Sequence, residues 1–521
     1  MSALITITAA AAPAVPFNVP SISYAAIGPI LIVLTAACIG VLIEAAVPRR
    51  WRFNAQLGLT LATLLAALID IIAIRATSTL TADRALSIDG MALFIQATIV
   101  VMAALSVLLL AERGVDGSAI VAQAAVVVGS PADRRLASSE RVQTEVFPLA
   151  LFAVGGMLIF PAANNLLLMF VALEVFSLPL YLMAGLARRR RLLSQEAAIK
   201  YFLLGAFASA FFLYGLALLY GYAGSVDLFD ILTAQSTSNQ SDVLLYLGLG
   251  MLIVGLLFKA GIAPFHSWTP DVYQGSPTPV TAFMAACTKV AAFGAILRVL
   301  YVGFSVSSWN WRPLIWAVAI ASMAVGAIVG LTQTDLKRIL AYSSIAHAGF
   351  ILIGVLSLDK EGLSSVLFYL AAYGFTIIAA FGLVTLVRDG NGEATHLAQW
   401  SGLAKRSPLF AVTFTFLLLA MAGIPLTSGF SGKFVVFRAA FHSAAPLVVI
   451  ALIASAIAAF FYLRIVVMMF FADTPQDGPS VAIPSALSTV AITVGTAATL
   501  VLGVFPQPLL DLAANAATLH G

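Results

Sequence analysis

Residues 258–266 read Phe258-Lys259-Ala260-Gly261-Ile262-Ala263-Pro264-Phe265-His266. The stretch sets a lysine near the middle of a strongly apolar segment and then breaks the helix at Gly261 and Pro264. A charge at bilayer depth costs ~2.5–3.5 kcal/mol on insertion scales, so it is retained for a reason. Backbone that leaves the helix at that depth survives only where protein or a water-filled cavity satisfies it. A lysine beside a broken helix is therefore a candidate ion site.

The chain around it reads as membrane protein. Of 521 residues, 61% are hydrophobic and only 10% charged, with a mean hydropathy of +1.03; a soluble domain carries about 25% charged residues. The net charge of +4 is small and implies no nucleic-acid partner. Cys38 and Cys287 both sit in apolar segments, with no metal-ligand spacing and no disulfide framework. No redox centre or metal is expected in this chain. The first 20 residues lack a basic n-region, so no cleaved signal peptide is expected.

Apolar runs near 20 residues predict an all-α polytopic protein with about 14 transmembrane helices: 27–47, 57–77, 88–111, 146–161, 164–187, 197–222, 243–265, 277–303, 313–333, 338–358, 363–387, 408–428, 445–472 and 485–505. A short helical continuation is expected at 431–441. The basic residues test the count. Arg49, Arg50, Arg52, Arg113, Arg134, Arg135, Arg141, Arg188 to Arg191, Lys200, Lys337, Arg338, Arg388, Lys405 and Arg406 all follow odd-numbered spans, 17 of the 27 Lys and Arg. The even loops hold only Arg75, Arg84, Arg312 and Lys360. The positive-inside bias then places odd loops in the cytoplasm and both termini outside. The loop 112–145, with an apolar patch at Ile120–Val128, reads as a partly ordered cytoplasmic connection.

An internal echo follows. Ala260-Gly261-Ile262-Ala263-Pro264 in span seven resembles Ala422-Gly423-Ile424-Pro425 in span twelve. Five crossings separate them, and an odd offset means opposite orientation, as in inverted repeats with paired broken helices. This predicts two inverted five-helix repeats, at 146–303 and 313–472, after an N-terminal unit of three spans and a loop (1–145) and before a C-terminal span (473–521).

Six basic residues remain at or near membrane depth: Lys259, Lys289, Arg298, Lys433, Arg438 and Arg464. Glu174, midway along span five, is the natural partner of Lys259. Burial destabilises each lone charge unless an opposite one approaches. Lys289 lies mid-span in the eighth run. His347 lies mid-span in the tenth and suits a proton relay; as a core histidine it would bond Ser343 or Ser344. Lys433 follows the second break, either buried or reaching the outer interface. Glu174, Lys259, Lys289, His347 and Lys433 form a candidate polar line, with Ser177, Thr278 and Ser428 able to hold waters between them. The bland reading is a set of structural ion pairs, but intramembrane ionisable groups are functional by default. Arg298 and Arg438 lie near helix ends and could snorkel. His266, Asp271 and Tyr273 form either a hydrogen-bonded turn or a gate. Asp335-Leu336-Lys337-Arg338 is an ion-pair cluster at a helix start. Asp70 is an outlier, interfacial with Arg75 or a lipid or subunit contact.

The stretch from Phe258 through Ser267-Trp268-Thr269-Pro270-Asp271-Val272-Tyr273-Gln274-Gly275-Ser276-Pro277-Thr278 to Phe283 resembles the antiporter-like membrane subunits of proton-pumping NADH–quinone oxidoreductase (respiratory complex I), most of all the subunit N type. Leu336 to Phe350 and Leu419 to Phe434 carry the same resemblance, which runs from about 145 to 475. It implies half-channels meeting at the midplane and one proton pathway. Glu174 would be the charge-pair carboxylate, Lys259 its lysine, Lys289 the central relay and Lys433 the lysine of the outward half-channel. A lysine at 433 separates the chain from subunit M, and the missing lateral helix after 505 from subunit L. Tyr369 and Tyr373 stand where subunit L is expected to carry histidines, which rests the axis on His347. The resemblance implies no cofactor in this chain; NADH, FMN, iron–sulfur clusters and quinone belong to partner subunits. It implies neighbouring antiporter-like and small membrane subunits as partners, in a bacterial plasma membrane. Two alternatives stay open: a subunit of a monovalent cation/proton antiporter, and a non-pumping scaffold.

Overall fold

The computed structural model describes residues 21–113, 143–187, 190–237, 241–389, 392–474 and 478–520. The region expected to lack a signal peptide and most of the loop 112–145 lie outside them, as do Arg134, Arg135, Arg141, Arg188 and Arg189. Each of the fourteen apolar runs holds a helix. Among the described residues twelve helices are long and apolar enough to cross a membrane. The fourth and twelfth runs hold shorter apolar helices, Val146–Ile159 and Pro408–Ala422. The chain is a multi-pass membrane protein.

Helix starts follow short polar side chains that accept the free N–H groups of the first turn. Asp89 accepts from Ala92 N at 2.9 Å, Asn165 from Leu167 N at 2.9 Å, and Asp335 from Lys337 N at 3.0 Å. The second helix runs Arg49–Ala73, so Arg49, Arg50 and Arg52 open it rather than precede it. The helix of the sixth run starts at Arg191 and reaches Ala223. Both extensions are polar turns that hydropathy does not see.

The two broken spans end early and alike. Asp242–Ala260 stops at Gly261, with φ +68°; Pro408–Ala422 stops at Gly423, with φ +91°. This left-handed region costs glycine nothing. Ile262 N bonds Leu257 O at 3.0 Å, and Ile424 N bonds Leu419 O at 3.1 Å. Gly261 N takes Phe258 O, and Gly423 N takes Ala420 O, each at 3.0 Å. This pair of bonds closes a helix on an αL glycine. A short helix, Trp268–Gly275, follows the first break. After the second, the helix resumes at Ser428 rather than 431. It runs to Phe471 across a kink at Ala444, where φ/ψ leave the helical region.

The loops sort onto two faces. On one, loops after odd spans interlock: Leu336 N bonds Thr395 O and Ala482 N bonds Leu386 O, and Lys200 and Arg338 both pair with Asp271. On the other, loops after even spans do the same: Ser87 N bonds Ala162 O and Leu166 N bonds Val226 O. Short strands, unforeseen in an all-α reading, complete each face: Thr79–Thr81 with Leu86–Ile88, and Val387–Asp389 with Gly392–Glu393 and Ser480–Val481. Asp70 faces Gly28 at the start of the first helix and leaves no room there for a Cβ. A carboxylate is favoured at a helix N-terminus; among the described residues no ion pair joins it to Arg75.

Arg298 does not snorkel. It is 0% exposed, with Nη1 and Nη2 donating to Asp89 at 2.6 and 2.9 Å and Nε to Pro161 O at 3.0 Å. The chain end closes over the pair: His520 N donates to Asp89 at 3.0 Å, and His520 O accepts from Arg298 at 3.1 Å. Arg438 does lie at a surface, paired with Glu361 at 2.8 Å.

Candidate functional site

Lys259 occupies the last turn before the first break and is 3% exposed. Its Nζ donates to Ser177 Oγ at 2.7 Å and to Tyr201 OH at 3.3 Å. The rings of Phe176, Tyr201 and Tyr181 stand 4.7, 5.1 and 5.4 Å from it, so aromatic faces supply part of its solvation. Glu174 does not pair with it directly. The Glu174 carboxylate accepts from Ser209 Oγ at 2.5 Å, and among the described residues no ion pair within 4.0 Å joins it to Lys259. Ser177, proposed from sequence as a water holder, is itself the contact and passes its own hydrogen to Leu173 O.

The break positions the neighbouring aromatics. Trp268 Nε1 donates to Phe258 O at 2.8 Å, one of the carbonyls at the interrupted helix end. Its ring stacks on Tyr201 at 4.6 Å and 9°, and Tyr273 meets Trp268 edge-on at 6.3 Å. Tyr273 O then accepts from Thr281 Oγ1, on the Lys289 helix, at 3.1 Å. Among the described residues no hydrogen-bond chain joins Lys259 to Lys289; an aromatic series leads from one towards the other. Trp268 lies in the stretch that carries the family resemblance, whereas no sequence signal marked Tyr181 or Tyr201.

Lys289 is also 3% exposed. It starts a helical segment immediately after a π-helical stretch, Met284–Thr288. Such a stretch widens the turn and is frequent at functional sites. Lys289 Nζ donates to Ser344 O at 2.6 Å and lies 5.7 Å from the Tyr373 ring. That ring lies 4.9 Å from His347. His347 is bonded by tyrosines, not by Ser343 or Ser344: Nδ1 meets Tyr369 OH at 2.7 Å and Nε2 meets Tyr462 OH at 3.5 Å. Tyr462 in turn bonds Ser343. Of the two tyrosines that stand where histidines are expected, Tyr369 bonds His347 and Tyr373 packs its ring against it.

Lys433, 6% exposed, does not reach an interface. Its Nζ donates to Met421 O at 3.0 Å, Ala422 O at 2.8 Å and Ser455 Oγ at 2.8 Å. The first two are carbonyls at the C-terminal end of a helix, which carries partial negative charge. A Cβ at Gly423 would lie 3.1 Å from Lys433 Cδ and Nζ, so a glycine there also lets the lysine approach. A cavity of ≈ 10 Å³, about enough for one water, is lined by His347, Tyr369, Tyr373, Thr376, Met421 and Ser428. Ser428 reaches Thr376 at 3.3 Å, which reaches Thr499 at 3.0 Å. Thr278 is not in this line. It lies on the odd-loop face, bonded to Glu393 at 2.5 Å.

His347 lies among the Tyr369, Tyr373 and Tyr462 side chains, with Lys289 against the Tyr373 ring and Lys433 bonded to Met421 O at the edge of the same cavity; Glu174 and Lys259 form a second group. Four of these five groups, the three lysines and His347, are buried among neutral donors and acceptors. That suits proton transfer and offers a metal no ligand set; among the described residues no cluster of three His, Cys, Asp or Glu groups occurs. Asp271 and Arg338 bind each other on the odd-loop face at 2.6 Å, away from the line. Asp335 serves as a helix cap that also accepts from Thr395 at 2.6 Å.

Comparison with known proteins follows the same lines. The membrane-domain family described as NADH:quinone oxidoreductase/Mrp antiporter matches residues 163–496. The NADH-quinone oxidoreductase subunit N of Saccharopolyspora erythraea is 60% identical over 505 residues, 95% of this chain and 98% of that protein. That of Mycobacterium bovis is 51% identical over 525 residues, 96% of this chain and 99% of that protein. A chain of respiratory complex I from Thermus thermophilus with bound aureothin has a TM-score of 0.75 at 32% identity, covering 93% of this chain and 99% of that one. A chain of the Mrp complex from Dietzia has a TM-score of 0.78 at 22% identity, over 95% and 97% of the two chains, a likeness of fold alone. The chain belongs to the NADH:quinone oxidoreductase/Mrp antiporter membrane family and, within it, to the NADH-quinone oxidoreductase subunit N proteins.

Proposed function

We propose that this chain carries protons across the membrane within a proton-pumping NADH–quinone oxidoreductase, through Glu174, Lys259, Lys289, His347 and Lys433. One observation carries the reading: three lysines buried at interruptions of helix hydrogen bonding, each solvated by neutral groups and none locked to a carboxylate. Electron transfer from NADH through FMN and iron–sulfur clusters to quinone belongs to partner subunits. This chain's part is electrostatic. When the Glu174 carboxylate moves toward or away from Lys259, the ammonium gains or loses support, and the proton passes by Lys289 and His347 to Lys433. A change of one pKa unit corresponds to about 1.4 kcal/mol, and one charge crossing 100 mV costs ~2.3 kcal/mol. A few units of modulation match the work required.

The membrane partners on this reading are the neighbouring antiporter-like and small subunits of the complex. The odd-loop face, richer in Lys and Arg, is cytoplasmic in a bacterial plasma membrane, and both termini lie outside. The two alike breaks, at Gly261 and Gly423, support inverted repeats over 146–303 and 313–472.

The test is Lys259→Ala in native membranes, with assembly checked on a native gel. NADH-driven quinone reduction and proton uptake into inverted vesicles are recorded together. Loss of pumping and of coupled turnover in an assembled complex is expected. Unchanged pumping would make Lys259 structural and refute the pathway.

A further inference from the structure

Glu393 is not among the residues of the polar line, yet it sits at the end of the helix that carries Lys289. It lies on the short strand Gly392–Glu393 of the odd-loop face, with its side chain 15% exposed. One oxygen accepts from Thr278 Oγ1 at 2.5 Å, and Thr278 is the first residue of the Lys289 helix. The same oxygen lies 3.7 Å from Lys337 Nζ, and the other lies 4.0 Å from Arg388. Lys337 is buried and donates to Ser276 O at 2.7 Å. Asp335, held by Thr395, and Arg190, which also bonds Thr395 at 3.0 Å, complete the charged groups around it. A carboxylate that touches water therefore stands directly over a buried lysine.

Inward from Lys337 the lining is polar. Ser276 Oγ is buried without a protein partner, and Ser344 Oγ stands within hydrogen-bonding reach of the Tyr273 and Tyr373 hydroxyls. Ser344 lies seven residues beyond Lys337 on one helix, so the two share a side, roughly 10 Å apart along the axis. Ser344 is also the residue whose carbonyl takes Lys289 at 2.6 Å, and the Tyr373 ring flanks the same ammonium. A clamp that only joined loops to helix ends would need Glu393 and Lys337. It would have no use for a row of buried hydroxyls that ends beside Lys289.

We infer that Glu393 collects protons from water on the odd-loop face and, with Lys337, passes them by waters held at Ser276, Ser344 and Tyr373 to Lys289. In the step an O–H bond of the protonated Glu393 carboxyl breaks, the electron pair stays on the carboxylate, and an N–H bond forms on neutral Lys289. The waters between shift one proton each and end unchanged. This inference rests on the proposed pathway through Lys289.

The experiment uses the whole complex in vesicles whose odd-loop face meets the bath. Proton uptake and NADH–quinone turnover are measured from pH 6 to pH 9 for Glu393→Gln, Glu393→Asp and Ser344→Ala. A collecting carboxylate matters most when protons are scarce. Glu393→Gln should be within about twofold of the parent at pH 6 and about tenfold slower at pH 9, as general acid–base contributions of this size are common. Glu393→Asp, or added formic acid as a diffusible proton carrier, should restore the rate at high pH. Ser344→Ala leaves the Glu393 ion pairs intact and should show the same pH-dependent loss. A Glu393→Gln complex that matches the parent at every pH overturns the inference. So does a loss equal at all pH values that neither Asp nor formic acid restores, or a silent Ser344→Ala. Lys289→Ala separates the two readings: pumping lost there with Glu393→Gln silent removes only the collecting role, whereas pumping intact there removes the pathway itself.

Discussion

Arg298→Met is the sharpest test of how the Lys289 helix is anchored, since nine residues separate the two on one helical run. The guanidinium makes two bonds to Asp89, at 2.6 and 2.9 Å, and one each to Pro161 O and His520 O, at 3.0 and 3.1 Å. Both charged side chains are 0% exposed. Removing one member of a buried pair costs about 3–5 kcal/mol, chiefly because the other charge stays behind. Asp89 keeps three donors, from Ala92 N, Ser87 Oγ and His520 N at 2.9, 3.0 and 3.0 Å, which sets the cost toward the lower end. About 3 kcal/mol is still a large share of the roughly 5–15 kcal/mol by which proteins are stable. Adding Asp89→Asn removes the stranded charge and should recover about half of the loss. The assay is the midpoint of thermal disassembly of the detergent-purified complex, followed on native gels. A snorkelling arginine would lose nothing. A midpoint for Arg298→Met equal to the parent's, or a double variant less stable than the single one, would refute the argument.

Two further outcomes follow from the geometry. Lys433→Met removes three charge-assisted bonds, to Met421 O, Ala422 O and Ser455 Oγ, worth about 1.5–3 kcal/mol each; an assembled complex should lose vesicle proton uptake, and undiminished uptake would take Lys433 off the path. Asp271 presents a question of sign. Burial by itself would raise its carboxyl, but Lys200 and Arg338 outweigh it and hold the group below the ordinary carboxylate range. A depressed carboxyl contributes stability that is present above its unfolded value, ~3.9, and is lost as pH falls through its lower folded value. The latch should therefore be constant from about pH 5 to 9 and weaken only in acid. Asp271→Asn should release it at any pH, read as faster hydrogen exchange over Trp268–Gly275; unchanged exchange would show that the short helix is held otherwise.

The breaks were legible in the sequence because Gly261 with Pro264, and Gly423 with Pro425, interrupt apolar runs that nothing else interrupts. The two-faced sorting of loops was legible in the alternation of Lys and Arg. Side-chain partners were not. Arg298 and Asp89 are 209 residues apart, and no local pattern joins them. Glu174 and Lys259 look like a pair by depth, but Ser209 and Ser177 stand as their nearest partners. Lys433 finds carbonyls rather than a side chain, and carbonyls are silent in a sequence. Neither π-helical stretch, at Met284–Thr288 and Val299–Gly303, has a composition that announces it. The Arg49 and Arg191 helix starts were missed because hydropathy scores the lipid-facing turns and not the polar ones that precede them.

What unites the three lysines is the backbone beside them. An unbroken helix spends every internal carbonyl on its own N–H groups, so it has little to offer an ammonium. An αL stop or a π-helical stretch alters that accounting. Lys433 takes two carbonyls from the helix end before Gly423. Lys289 follows a π-helical stretch and takes Ser344 O from a neighbouring helix. Lys259 stands in the last turn before Gly261 and is solvated by a serine and a phenol, while Trp268 occupies the carbonyl next to it. A carboxylate in contact would bind an ammonium more strongly and resist its losing the proton. Neutral oxygens hold it more loosely, so on the proposed pathway a charge acting from beyond contact, that of Glu174, would tip the balance. On the proposed pathway the breaks are therefore part of the chemistry: they would let a membrane interior hold a cation that is stable enough to form and free enough to pass its proton on.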